Sequence, residues 1–163
     1  GRLSGLEREK IDQELLEIHG KIAEYESILA NEQKVLEIIR YSAIPGFSRH
    51  HFGTDFDIYA VNLLPEGKQL ELTAREYQKG NYFYKLGQYL SQNLNKFGFK
   101  RPFNGKGTIA YEPWHISFSK KADECIDAFP VDFALEYLSS FNEPWVKYAV
   151  SYAKEHYKEL LAK

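Results

Sequence analysis

The sequence predicts an α+β domain in which a small antiparallel sheet is flanked by helices at both ends of the chain. Three observations support this prediction: helical apolar spacing over residues 6–40, short β-prone stretches in the middle, and a helical tail over 123–163. The 163 residues have the length of one ordinary domain, without internal repeats or linkers. We therefore expect residues 1–163 to form a single domain.

The first 40 residues carry apolar side chains three to five positions apart, separated mostly by charged ones. This spacing predicts an amphipathic helix over 7–29 and a second, short helix over 32–40. The heptad does not persist for three or four repeats, so we do not expect a coiled coil. The Pro45-Gly46 pair then ends the helical region.

The middle of the chain alternates between β-prone and helical stretches. Alternating side chains from Thr54 onward predict a strand over 54–61. Apolar spacing predicts an amphipathic helix over 82–97, which Gly98 stops.

Two further strand pieces, over 109–111 and 115–118, are separated by a Glu-Pro-Trp segment. The tail over 123–163 reads as two or three helices, with Pro130 and Pro144 between them. Its aromatic residues form a stripe that favours helix packing, with a contribution to a cleft wall as the alternative.

Composition excludes several classes of protein. The chain is 44% apolar and 27% charged, as expected of a folded globular protein. Its 21 basic and 23 acidic residues nearly balance, so nucleic acid is not an expected partner. No apolar run approaches the roughly 18 residues of a membrane span. The lone Cys125 cannot close an intrachain disulfide, and we expect it to be buried. The chain begins with Gly1 and contains no Met, so we expect a processed or trimmed product that has lost any signal peptide or anchor.

Two short segments together contain the residues of a metal site. The segment 48–57 contributes His50 and Asp57, and Glu112-Pro113-Trp114-His115 contributes a second imidazole. Two imidazoles, one carboxylate and an open fourth position suit hydrolytic zinc, which lowers the pKa of a bound water. Glu112 is then the candidate base. Each piece alone is common, so packed or surface histidines stay an alternative on these residues alone.

The other histidines and Trp114 are expected to serve structure. Neighbours on an extended strand point in opposite directions, so His51 should lie at the rim of the site rather than bind the same ion as His50. His19 and His156 lie in charged helical contexts and should be on the surface. Trp114 should form a cleft wall or a packing ring.

The two segments resemble a known family. Ser48-x-His50-x-x-Gly53-x-x-x-Asp57 is similar to the first signature of VanY-type D-alanyl-D-alanine carboxypeptidases, and the Glu-Pro-Trp-His segment to their second. The resemblance covers about residues 4–120, with 123–163 as a helical extension. It implies the fold of the LAS zinc metallopeptidases, whose core lysostaphin-type enzymes and hedgehog domains share. One departure is Asp55, where many members have Ala.

The resemblance also implies roles for single residues. His50, Asp57 and His115 would bind one Zn²⁺ per chain, and Glu112 would act as the general base. Ser48 would hydrogen-bond the substrate peptide.

Two upstream residues complete the implied substrate site. Arg8 would polarise the scissile carbonyl, with Gln13 as its companion in substrate binding. Glu7 and Glu9 flank Arg8, so an exposed residue at the start of a helix is the alternative.

The implied activity is zinc-dependent hydrolysis of peptidoglycan stem peptides that contain D-amino acids, in the bacterial cell envelope. A D,D- or L,D-carboxypeptidase that releases terminal D-Ala is the leading interpretation, with specificity set by the loops at 62–80 and 100–108. The alternatives are an endopeptidase of the endolysin kind, a non-catalytic binding module that keeps zinc for stability, and a helical interaction protein without metal.

Overall fold

The first element is a single long helix. The computed structural model describes residues 5–163, and within the first helix it describes the side chains of residue 10 and of residue 13 onward. Helix α1 spans Gly5–Ile39 without a break, where two helices were predicted. The Asn31 amide donates to the carbonyl of Ser27, 2.9 Å away, so its polar side chain is satisfied inside the helix and does not interrupt it.

Only the end of α1 packs on the rest of the protein. Val35 and Ile39 are buried, whereas residues 13–27 are exposed on every face of the helix. The buried end contacts helix α5, which spans Val146–Leu160. Among residues 5–163, no helix combines the length and apolar character needed to cross a membrane.

The remaining helices are short. Helix α2 spans Tyr84–Asn93, and a 3₁₀ turn over Leu94–Phe97 continues it to Gly98, whose φ of 77° ends the predicted helical stretch. Behind the sheet, α3 spans Ser119–Asp127 and α4 spans Val131–Ser139. With α5, the tail contains three helices, separated near Pro130 and Pro144 as predicted.

The predicted α+β class with a small antiparallel sheet is confirmed. Strands β1 (Asp55–Asp57), β2 (Phe99–Lys100) and β3 (His115–Phe118) pair in the order β1-β3-β2. β1 is shorter than the predicted 54–61, because only three of its residues find partners on β3. The stretch 109–111 is not a strand, and β2 was not predicted.

The register divides the sheet into a polar and an apolar face. Asp57 lies opposite His115, and Asp55 lies opposite Ser117. Side chains alternate along a strand, so these four share one face. Ile116, between them on β3, points to the other face and joins a core cluster with Leu90 and Leu94.

A second, larger core lies between the helices. It joins the end of α1 and Phe47 to α4 and α5, and its members are buried apolar residues: Val35, Ile39, Ile44, Phe47, Ala134, Leu138, Ala149, Ala153 and Leu160. The segment that carries Ser48 and His50 directly follows Phe47, so this core fixes one side of the polar sheet face.

Candidate metal centre

His50 lies in a short 3₁₀ turn over Arg49–Phe52, and not on a strand. The Ser48 hydroxyl accepts a hydrogen bond from the His50 N–H at 3.3 Å, which starts the turn. Gly53 ends it with a φ of 66°, a conformation that favours glycine. Consecutive residues of a 3₁₀ turn lie about 120° apart, so His51 points elsewhere and is exposed at the rim.

The side chains of His50, Asp57 and His115 converge. The Asp57 Oδ1 atom lies 3.6 Å from His50 Nε2 and 3.5 Å from His115 Nδ1. All three ligand atoms lie within 4.8 Å of one another. Tetrahedral zinc with bonds of about 2.0–2.2 Å separates its ligand atoms by roughly 3.4 Å. The two distances from Asp57 fit such a site.

Glu112 lies beside this cluster. Its Oε2 atom is 3.2 Å from His115 Nδ1, and its side chain is 16% exposed. The turn that joins the two residues is closed by a bond from the His115 N–H to the Glu112 carbonyl, 3.3 Å long. Arg101 fixes the turn from outside, because its Nε donates to the carbonyl of Pro113 at 2.9 Å. A carboxylate is thereby held next to the ligand atoms with limited access to solvent.

The electrostatic surroundings favour a cation at the site. Burial acts to lower the pKa of His115, but hydrogen bonds to Asp55 and Glu112 outweigh it and raise that pKa. Burial acts to raise the pKa of Asp55, but hydrogen bonds from His115 and Arg49 lower it to about 2. The carboxylates around His115 therefore stabilise positive charge there, whether a proton or a metal ion carries it.

A cavity of about 320 Å³ opens onto the cluster. The predicted specificity loops contribute Glu71, Leu72 and Phe103 to its wall, and Ser48 lies at its edge. Trp114 also lines the cavity and packs against Tyr77, with ring centroids 6.0 Å apart. The full lining consists of Tyr41, Ser42, Ala43, Phe47, Ser48, Arg49, His50, Asp57, Glu71, Leu72, Phe103, Ile109, Glu112, Trp114, His115 and Leu160.

The predicted upstream residues are not brought to the cavity. Gln13 is exposed on α1 and does not line the cavity. Arg8 belongs to α1, but its side chain lies outside the described residues, so its role stays a prediction. His19 is exposed, and His156 is partly exposed and lies 3.4 Å from Glu159.

The helical tail contributes little of the cavity wall. Leu160 of α5 lines it, whereas Trp145, Tyr148, Tyr152 and Tyr157 pack against the larger core. The packing interpretation therefore describes most of these aromatic residues. Cys125 on α3 is partly buried, less than we expected.

Arg49 and Asp55 are site residues that the sequence did not identify. Both side chains are fully buried, and Arg49 Nε donates to Asp55 Oδ1 at 2.7 Å. A signal was present in the sequence, since an oppositely charged pair six positions apart interleaves with His50 and Asp57. Without the fold, the pair reads as two solvated charges.

Comparison with known proteins gives one match that covers most of the chain. The VanY family model, described as D-alanyl-D-alanine carboxypeptidase, matches residues 8–121. An uncharacterized protein of Haemophilus influenzae is 43% identical over 83 residues, which are 49% of this chain and 63% of that protein. No solved structure matches significantly.

Two shorter matches are to the gyrase A protein, one of the two chains of DNA gyrase. That of Clostridium acetobutylicum is 62% identical over 39 residues, and that of Halalkalibacterium halodurans is 56% identical over 39 residues. Each match covers 24% of this chain and 5% of the gyrase protein, so it carries no argument about activity. The chain thus spans about two-thirds or less of each of these relatives.

Proposed function

Because the chain belongs to the VanY family of D-alanyl-D-alanine carboxypeptidases, we propose that it is a zinc-dependent peptidase that releases terminal D-Ala from peptidoglycan stem peptides. The family supports a carboxypeptidase-like activity, and the finer assignment to D,D- or L,D-bonds is part of the proposal. The observation that carries it is the convergence of His50, Asp57 and His115 beside Glu112.

His50 Nε2, Asp57 Oδ1 and His115 Nδ1 would hold one Zn²⁺. The donor set of two imidazoles and a carboxylate is that of catalytic zinc sites, which leave a fourth position open. When bound, the ion would polarise the scissile carbonyl and lower the pKa of water. The 320 Å³ cavity supplies the space for substrate on the same side.

Glu112 would move the proton. Its Oε2 atom lies beside His115 Nδ1, within reach of a water at the open position of the ion. The carboxylate would accept a proton from this water as its oxygen attacks the carbonyl carbon. It would then donate that proton to the amine nitrogen as the C–N bond breaks, leaving a shortened peptide and free D-Ala.

The substrate carboxylate needs a partner other than Arg49. The Arg49 guanidinium lines the cavity but is buried and bonded to Asp55, Ser117 and Leu161. Its charge is thus already neutralised. We assign the substrate carboxylate to Arg8 and Ser48, and we propose the bacterial cell envelope, where peptidoglycan lies, as the place of action.

The test combines metal analysis with hydrolysis of defined peptides. The purified protein and its Glu112→Gln variant would be assayed for zinc and for D-Ala release from a pentapeptide stem, a tetrapeptide stem, a C-terminally amidated pentapeptide and a cross-linked dimer. Glu124→Gln is the matched control, because Glu124 is an exposed carboxylate on α3. We expect one zinc per chain in all three proteins.

In the wild type and the control, D-Ala should be released from a stem with a free carboxylate. Loss of a general base should lower kcat by about 10²–10⁴-fold in Glu112→Gln. Cleavage of the amidated and cross-linked peptides would indicate the endopeptidase instead. Stoichiometric zinc without turnover would indicate a binding module, and absence of zinc would refute the metal site.

A further inference from the structure

Asp55 contacts both candidate histidine ligands without belonging to the ligand set. Its buried carboxylate lies 2.9 Å from His115 Nε2, on the side of the ring that faces away from Asp57. Its backbone carbonyl lies 3.2 Å from His50 Nδ1, again on the side opposite the ligand atom. One residue therefore touches the outer nitrogen of each ring.

We propose that Asp55 is a positioning residue that fixes the tautomers and orientations of both histidines for metal binding. A neutral imidazole has one N–H, and donating it to an acceptor leaves the other nitrogen with a free lone pair. His115 would donate Nε2–H to the Asp55 carboxylate and present Nδ1. His50 would donate Nδ1–H to the Asp55 carbonyl and present Nε2.

The Asp55 carboxylate is itself held on every side. Besides Arg49 and His115, it accepts hydrogen bonds from the hydroxyls of Thr54 at 2.8 Å and Ser117 at 3.1 Å. Such satisfaction is required for a buried charge. The carboxylate cannot rotate without breaking several of these bonds, so the ring orientation that it imposes on His115 is rigid.

Arg49 extends this support to the end of the chain. Its Nη2 donates to the Ser117 hydroxyl at 2.7 Å, and its Nη1 donates to the Leu161 carbonyl at 2.5 Å. Leu161 directly follows α5 and is fully buried. It also lies outside residues 8–121, which the family model matches. The helical extension thereby contributes a bond to the support of the metal centre.

The effect on zinc affinity rests on the proposed metal site, whereas the tautomers can be measured without metal. The first experiment is therefore nitrogen-15 NMR of the histidine rings in zinc-free wild-type protein, at a pH where both imidazoles are neutral. We expect the Nε2–H tautomer for His115 and the Nδ1–H tautomer for His50. The opposite tautomer at His115 would overturn the inference, whether or not the protein binds zinc.

The second experiment measures zinc affinity by competition with a chromophoric chelator. Asp55→Asn keeps the shape of the side chain but removes the charge that accepts the His115 N–H. We expect it to weaken zinc binding by about 10–100-fold, the usual effect of losing such a partner. Ser117→Ala is the matched control, because it removes a neighbour of the same carboxylate without touching a histidine, and it should bind zinc within about threefold of wild type.

The outcomes separate the inference from the proposed function. Equal zinc affinity in wild type and a folded Asp55→Asn would overturn the inference while leaving the metal site standing. Equal weakening in Ser117→Ala would also overturn it, since the effect would then be general loosening. Absence of zinc binding in the wild type would refute the metal site alone. If Asp55→Asn does not fold, the wild-type tautomers still decide.

Discussion

Replacing Glu76 by Gln should loosen one wall of the cavity. Glu76 is 3% exposed and its carboxylate accepts hydrogen bonds from the N–H groups of Glu71 at 3.2 Å and Thr73 at 2.9 Å, and from the Tyr82 hydroxyl at 2.5 Å. These bonds hold Leu72 between them at a φ of +50°, which is strained for a residue with a side chain. Glu71 and Leu72 both line the cavity.

The expected loss of stability follows from the bond count. A hydrogen bond to a charged group contributes about 1.5–3 kcal/mol, and the Gln amide would turn an NH₂ toward N–H donors in place of an oxygen. Losing one to two of these bonds should lower the free energy of unfolding by roughly 3 kcal/mol. Urea unfolding at pH 7, with the midpoint compared at constant slope, measures this loss.

A matched variant and the pH dependence make the test specific. Glu124→Gln removes an exposed carboxylate and should change stability by less than about 0.5 kcal/mol. Burial acts to raise the pKa of Glu76, but its hydrogen bonds outweigh burial and lower it below 4.5. A lowered pKa stabilises the fold above 4.5 and loses that contribution as pH falls through the folded value. The gap between wild type and Glu76→Gln should therefore shrink below pH 4.5. A variant as stable as wild type at pH 7 would refute the reasoning.

Two further predictions concern the docking of α1 and the effect of metal. Ile39→Ala should destabilise the protein by about 2–5 kcal/mol, since Ile39 is 1% exposed, whereas Ile38→Ala at a 49% exposed position should cost under about 1 kcal/mol; equal losses in urea unfolding would mean that the end of α1 is not packed as described. Adding zinc to metal-free protein at about 100 times its Kd should raise Tm by about 5–10 °C, and Asp57→Asn should abolish much of that shift. A Tm that does not respond to zinc in the wild type would argue against the site.

The sequence indicated the chemistry of the candidate site better than its geometry. His50, Asp57, Glu112 and His115 were selected because two motifs resembled a family, and the structure brings these residues together. The interpretation of His50 as a strand residue was wrong, because a serine cap and Gly53 close a 3₁₀ turn there. Such a turn is only four residues long, and alternation of side chains cannot distinguish it from a strand end.

The errors in the sheet have a common cause. Local alternation predicted a strand at 109–111, but the backbone there makes isolated bonds, from Ala110 N to Arg40 O and from Glu112 N to Phe103 O. In contrast, β2 has two residues and exists only because β3 lies beside it. Strand pairing depends on partners that are distant in sequence, so a single segment does not reveal it. The buried pair Arg49 and Asp55 was missed for the same reason.

The alignment of β1 with β3 has a consequence for folding. Asp57 and His115 are cross-strand neighbours, and every one-residue shift of one strand against the other would turn one of them to the opposite face. A sheet of three short strands has few contacts with which to reject such a shift. An ion bound between the two side chains would be compatible only with even shifts, and only the native one also places Asp55 opposite Ser117. In this protein, metal binding would therefore act as a parity check that selects the native strand alignment.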